Sequence, residues 1–164
     1  MKDKLKKYLK ETIVFVVILL IAINVFSYYR SLDLNKEKLD LKTVVLLDDS
    51  IYKVSENKPI LLHFWATWCP ICKLEASSIE KLSKEYEVIS FAVQSGSNEE
   101  IKEYLEENNL SFKVVNDENA YYSNKFNISA FPTTFIYDSK KDLRFSEVGY
   151  TSILGFYSRM ALIE

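Results

Sequence analysis

Glycine and proline are scarce in this chain of 164 residues, three of each, and histidine occurs once. So little glycine leaves the turns to Asn, Asp and Ser, and each proline becomes positional information. Two cysteines are too few for the disulfide framework of a small secreted domain. One histidine, with no second Cys-x-x-Cys, leaves a zinc site short of ligands. A basic stripe is missing as well. The net charge is −2, and residues 1–29 hold five Lys against Asp3 and Glu11, so the rest of the chain carries 16 basic against 21 acidic groups. A mildly acidic globule of this kind argues against nucleic-acid binding. There is no internal repeat and no low-complexity segment, and the length suits one globular unit.

What the chain does have begins with a lysine-rich start, residues 1–11, followed by a span at 12–29 that is wholly apolar from Ile13 to Ile23 and continues past Asn24 and Ser27 to Tyr29. As a helix that run rises roughly 27 Å, enough for one short transmembrane span. Lys2, Lys4, Lys6, Lys7 and Lys10 would hold the amino terminus in the cytoplasm, and Tyr28, Tyr29 and Arg30 suit the far interface. A cleaved signal peptide competes with this reading, but the bulky residues at 24–29 supply no small-x-small cleavage site. The expected organisation is a cytoplasmic tail at 1–11, an anchor in a bacterial inner membrane at 12–29, a linker at 30–42 and a domain at 43–164 on the periplasmic or outer side.

Within the domain, short β-type runs at 43–47 and 51–54 flank Asp48-Asp49-Ser50 and predict a hairpin. Residues 60–65 form an apolar run interrupted by His63, as in a central strand covered on both faces. A helix then opens at Pro70, with Ile71, Leu74, Ile79 and Leu82 on its apolar face. A strand at 88–93, an amphipathic helix at 98–109 and a strand at 112–115 complete a βαβαβ order, which implies parallel neighbours and right-handed crossovers. A short helix at 120–126, a strand at 128–137 entered through Pro132, an antiparallel partner at 143–148 and a last helix follow. That helix would be capped by Thr151 and would bury Ile153, Leu154, Tyr157, Met160 and Leu162. The charged positions of 98–109 read as a solvated face.

The two cysteines, Cys69 and Cys72, lie where the central strand gives way to the helix. A cysteine at a helix amino terminus feels unpaired N–H groups, which stabilise its thiolate. Cys72, three residues on, shares that side of the first turn within disulfide reach. Cys69 is thus expected to be the exposed nucleophile and Cys72 the shielded resolving thiol in thiol–disulfide exchange.

Phe64-Trp65-Ala66-Thr67-Trp68-Cys69-Pro70-Ile71-Cys72 resembles the active-site segment of thioredoxin-fold proteins, and Phe131-Pro132-Thr133-Thr134-Phe135 resembles their cis-proline strand. An extra αβ element between the two is similar to the membrane-anchored branch used in extracytoplasmic thiol chemistry and cytochrome c maturation. Lys73-Leu74-Glu75, Val93-Gln94-Ser95-Gly96-Ser97, Val114-Val115-Asn116-Asp117 and residues 145–151 resemble, within that branch, the suppressor-of-copper-sensitivity D type.

The resemblance implies an α/β thioredoxin fold with an αβ insertion and an amino-terminal hairpin. It implies a protein disulfide oxidoreductase whose redox pair is Cys69 and Cys72, needing no dissociable cofactor and no metal. Its partners would be protein thiols or disulfides and a membrane electron donor or acceptor, and it would work as a reductant. Pro132 would be the cis-proline facing the pair, Phe131 would lend its backbone to substrate, and Trp68 would offer contact surface. Glu75 would manage the resolving thiol's proton.

Plain structural readings stand beside these roles. Pro132 could be a trans proline at a strand entry, Glu75 a solvated helix residue, Trp68 packing, and His63 a core or sheet-edge histidine. A dedicated reductant of apocytochrome c thiols is an alternative function. A Cu(I)-binding thiolate protein is another, although nothing near the pair completes a copper shell.

Overall fold

The computed structural model describes residues 8, 10–19, 21, 22, 25, 34, 35 and 37–163. A five-stranded sheet forms the centre, in the order β5 (Lys113–Asp117), β4 (Glu87–Val93), β3 (Ile60–Trp65), β6 (Thr133–Tyr137) and β7 (Leu143–Val148). Strands β3, β4 and β5 run parallel, β6 pairs antiparallel with β3 and β7 antiparallel with β6, which leaves β5 and β7 at the edges. The parallel crossovers are made by α1 (Pro70–Leu82) and α2 (Asn98–Glu107). A short α3 (Tyr121–Lys125) follows β5, and α4 (Ile153–Ala161) ends the fold. The hairpin of β1 (Thr43–Val45) and β2 (Ile51–Lys53) is a separate two-stranded sheet. Its turn is closed by Asp48, whose carboxylate accepts from both the backbone and the hydroxyl of Ser50.

All six residues of β3 are buried, because both faces of the sheet are covered. On one face Leu61, Trp65, Val88 and Ile136 pack under Ile79 and Leu82 of α1, Ile101 and Leu105 of α2, and Phe156 and Met160 of α4. On the other, Phe64 stacks on Phe91 with centroids 4.6 Å apart, in a cluster completed by Phe126, Phe135 and Tyr137. Aromatic pairs of this kind add to the gain from burial itself.

Four expectations need correction. Leu34 and Leu39 are buried in the second cluster and Leu41 packs against it, so the described part of the 30–42 linker is built into the domain. Its spaced leucines close a sheet face that the hairpin alone does not cover. Strand β6 starts at Thr133 rather than 128, since the chain turns through Asn127 (φ 54°) and the cis Phe131–Pro132 bond before it reaches the ladder. The buried face of α1 is Cys72, Glu75, Ser78, Ile79 and Leu82, while Ile71 and Leu74 are exposed. Helix α4 is capped by Ser152, which accepts from Gly155 N–H, and it buries Phe156 and Met160 while Leu154 and Leu162 face outward.

Among the described residues no helix is long and apolar enough to cross a membrane. Residues 10–19 are helical and exposed, including the apolar positions from Ile13 to Leu19. Residues 20, 23, 24 and 26–29 of the expected anchor lie outside the described residues.

Candidate active site

The centre of the sheet delivers the two cysteines. Strand β3 ends at Trp65, and the next four residues turn the chain so that Cys69 becomes the N-cap of α1, with Pro70 in the first helical turn where no N–H is needed. The turn is held by Cys69 N–H donating to the Ala66 carbonyl and by Thr67 N–H donating to the Ser95 hydroxyl. Cys69 and Cys72 are joined in a disulfide with Cα atoms 5.3 Å apart. Sγ of Cys69 also accepts from Cys72 N–H at 3.2 Å, the contact a thiolate at a helix amino terminus would exploit. Cys69 is 5% and Cys72 2% exposed, so in the disulfide form the first sulfur is barely more open than the second. The expected contrast between an exposed and a shielded cysteine is therefore small in the disulfide form.

Trp68 is 61% exposed yet held in place. Its indole N–H donates to the Gln94 carbonyl at 3.0 Å, and its ring meets Phe131 edge to face at 5.8 Å. The Phe131–Pro132 peptide bond is cis, and the Pro132 carbonyl accepts from Gly149 N–H. Gly149 has φ +95°, a conformation that suits glycine, and it bends the end of β7 toward α4. That bend has a chemical result, because Thr151 N–H reaches Glu75 Oε1 at 2.5 Å.

Glu75 is fully buried on the face of α1 that carries Cys72, so the solvated-helix reading does not hold. Burial pushes its carboxyl up to about 8, against the Thr151 hydrogen bond, which lowers it, and with Glu147 pushing the same way as burial. Oε2 has no hydrogen-bond partner. The group facing it is His63 Nδ1, 3.7 Å away, while the same nitrogen lies 3.0 Å from Thr134 Oγ1. Burial pushes His63 down to about 3, so at neutral pH both partners are uncharged and the contact is not an ion pair. His63 is a core histidine, as expected, but one placed against the buried acid. Thr134 has no role legible in the sequence, and Thr151 is expected there as the cap of the last helix rather than as a partner of Glu75. Gly149, two residues ahead of Thr151, is a signal in the sequence, whereas the register that sets Thr134 opposite His63 exists only in the folded sheet. Among the described residues, no three His, Cys, Asp or Glu side chains gather as a metal-holding group.

The pH dependence of stability follows from these two groups. Glu75 holds its proton in the folded chain to about pH 8 but loses it near 4.5 when unfolded, so its contribution falls as pH rises through that window. His63 acts oppositely, costing stability as pH falls from 6.5 toward 3. From pH 6.5 to 8 Glu75 acts alone, and thermal stability of the oxidised protein should decline there. In Glu75→Gln the calorimetric melting temperature should stay level over the same range, and an unchanged slope would refute the assignment.

Comparison with known proteins places this architecture. The AhpC/TSA family model matches residues 31–146. A thioredoxin-like protein of Haemophilus influenzae is 30% identical over 164 residues, 98% of either chain. The thiol-disulfide oxidoreductase ResA of Oceanobacillus iheyensis is 32% identical, and the thiol:disulfide interchange protein DsbE of H. influenzae 30%. Those matches cover 60% and 57% of this chain and about half of each relative. Among solved structures, a secreted disulfide oxidoreductase of Mycobacterium tuberculosis superposes with TM-score 0.65 at 21% identity, covering 73% of this chain and 94% of that one. At such identity the superposition speaks for the fold, which is that of thioredoxin. The chain is therefore a member of the AhpC/TSA family and, within it, a thioredoxin-like thiol–disulfide oxidoreductase.

Proposed function

We propose that this enzyme reduces protein disulfides outside the cytoplasm, tethered by its amino-terminal segment and recharged by a membrane redox partner. The observation that carries the reading is the Cys69–Cys72 disulfide at the start of α1, on the helix face that also buries Glu75. In the reduced enzyme, Cys69 thiolate attacks a substrate disulfide and forms a mixed disulfide, releasing one substrate thiolate. In the minor fraction of molecules in which Glu75 is ionised, its carboxylate takes the proton of Cys72 as Cys72 attacks Cys69 Sγ, which restores the enzyme disulfide and releases the second substrate sulfur as a thiolate. Trp68, Phe131 and the Pro132 backbone line the approach to the pair, and the phenyl ring of Phe131 narrows that groove.

The tether is supported by the run of exposed apolar helical side chains at 13–19 behind a lysine-rich start. It confines the enzyme near a membrane partner and raises their effective concentration. The reducing direction is supported by the surroundings of Cys72, where a buried carboxyl rather than a cation shares its helix face. Such a site does little to stabilise the dithiol form, and an unstabilised dithiol is a reductant.

Equilibration of the full chain against glutathione or dithiothreitol couples tests this. A reduction potential near about −270 mV is expected, and one near about −120 mV would make it an oxidant. The acid three residues after Cys72 also favours a narrower version, because the resemblance ties that position to cytochrome c maturation. Offering the reduced enzyme an oxidised haem-attachment peptide beside unrelated protein disulfides decides between them. Strong preference for the peptide marks a dedicated reductant, and equal rates mark a broad one.

A further inference from the structure

Across the sheet, on the face that carries α1 and α4, pairing sets Ser90, His63, Thr134 and Glu147 in one row from β4 to β7. Four polar residues side by side under two helices are unusual where apolar burial is the norm, and three of them are buried. Ser90 is occupied, accepting from the Trp65 indole and donating to the Lys113 carbonyl. Glu147 is occupied at the rim by Arg159 at 2.7 Å. His63 and Thr134 pair with each other, and Glu75 Oε2, which has no hydrogen-bond partner among the described residues, faces the same imidazole nitrogen.

In the neutral carboxyl Oε1 accepts from Thr151 and Oε2 carries the proton, so the deficit at Oε2 is that of one uncharged O–H. An ionised one fares worse, since a buried carboxylate oxygen without a donor carries a large desolvation cost. The mechanism proposed above requires Glu75 to pass through the ionised state each time a proton moves between it and Cys72. A donor must then be close, and His63 Nδ1 at 3.7 Å needs to travel less than 1 Å to reach bonding distance.

We propose that His63 is a positioning residue for Glu75, its Nδ1–H resting on the Thr134 hydroxyl while Glu75 is protonated and turning to Oε2 when the carboxyl ionises. The imidazole stays neutral throughout, so no second charge is buried. The groups facing Glu75 are then accounted for from each element. Cys72 lies on its own helix, His63 on β3, and Thr134 on β6 behind the imidazole. Glu147 on β7 opposes ionisation and is itself tied to Arg159 of α4, and the Thr151 N–H comes from the loop before α4.

This inference rests on Glu75 being the proton handler, so its test reads the carboxyl directly as well as through the reaction. The full-length chain, reduced, is titrated by infrared difference spectroscopy at the Glu75 carboxyl stretch, assigned with Glu75→Gln, and the pH profile of mixed-disulfide resolution is measured beside it. His63→Leu removes the donor and should raise the Glu75 midpoint by about one pH unit, a tenfold drop in the ionised fraction. Thr134→Val removes the competing acceptor and should lower the midpoint. His63→Asn keeps an N–H donor and should stay near the parent value.

Opposite shifts are the signature, since mere loss of packing would move His63→Leu and Thr134→Val the same way. Shifts of the same sign, or none in folded proteins, overturn the proposal. If His63→Leu does not fold, Thr134→Val and His63→Asn decide alone: an unmoved or raised midpoint in Thr134→Val rejects it. If the infrared midpoints move as expected while the resolution profile does not, the His63–Glu75 pairing stands and the catalytic reading of Glu75 falls.

Discussion

Cys69→Ser is expected to abolish disulfide exchange, a loss on the order of a thousandfold or more that brings the protein to the level of its buffer. A serine hydroxyl at the N-cap still accepts the helix N–H groups, so the fold and the start of α1 should survive. What disappears is the nucleophile, because a hydroxyl has no appreciable anionic fraction at neutral pH and does not attack sulfur. Cys72 cannot substitute for it. It lies within the first turn rather than at the N-cap and shares its face with a buried carboxyl that disfavours a neighbouring charge. Insulin reduction in the presence of dithiothreitol reads the effect, and activity within tenfold of the parent would place the attack elsewhere.

Cys72→Ser should give a different failure. Cys69 remains competent, so the first step proceeds and the enzyme is captured as a mixed disulfide with its substrate. Turnover stops after one event per molecule, and the complex should resist everything but added thiol. Non-reducing electrophoresis with a disulfide-containing protein shows this as a stoichiometric adduct, absent from both the parent and Cys69→Ser. Normal turnover by Cys72→Ser would mean that a second substrate thiol, not Cys72, resolves the intermediate.

Much of this arrangement is legible in the sequence because period and punctuation agree. The apolar run 60–65, the proline at 70 and the spacing of Cys69 and Cys72 each state one part of a strand, a helix start and a shared first turn. The parallel order of β3, β4 and β5 follows from alternation with α1 and α2, and Ser139 to Asp142 marks the turn between β6 and β7.

What escapes is whatever depends on contacts distant in sequence. Periodicity alone sets Ile71 and Leu74 on the buried face of α1, yet they point outward and the acid Glu75 points in. A carboxyl is acceptable there only because Gly149 bends a strand 74 residues away so that Thr151 N–H can meet it. His63 looks like an interruption in a strand until the register puts Thr134 beside it and α1 lays Glu75 above it. The leucines at 34, 39 and 41 resemble the residue of a linker because the face they cover is assembled from strands that come later in the chain.

The central claim is that the Cys69–Cys72 pair gives two electrons to a protein disulfide. The most direct measurement is thiol mapping by mass spectrometry. The reduced full chain is mixed with an oxidised disulfide protein, quenched in acid and alkylated. One Cys69–Cys72 disulfide should form for each substrate disulfide opened, with a Cys69 mixed disulfide at early times. If both cysteines remain alkylatable while the substrate is reduced, or the substrate stays oxidised beside a fully reduced pair, the account is wrong.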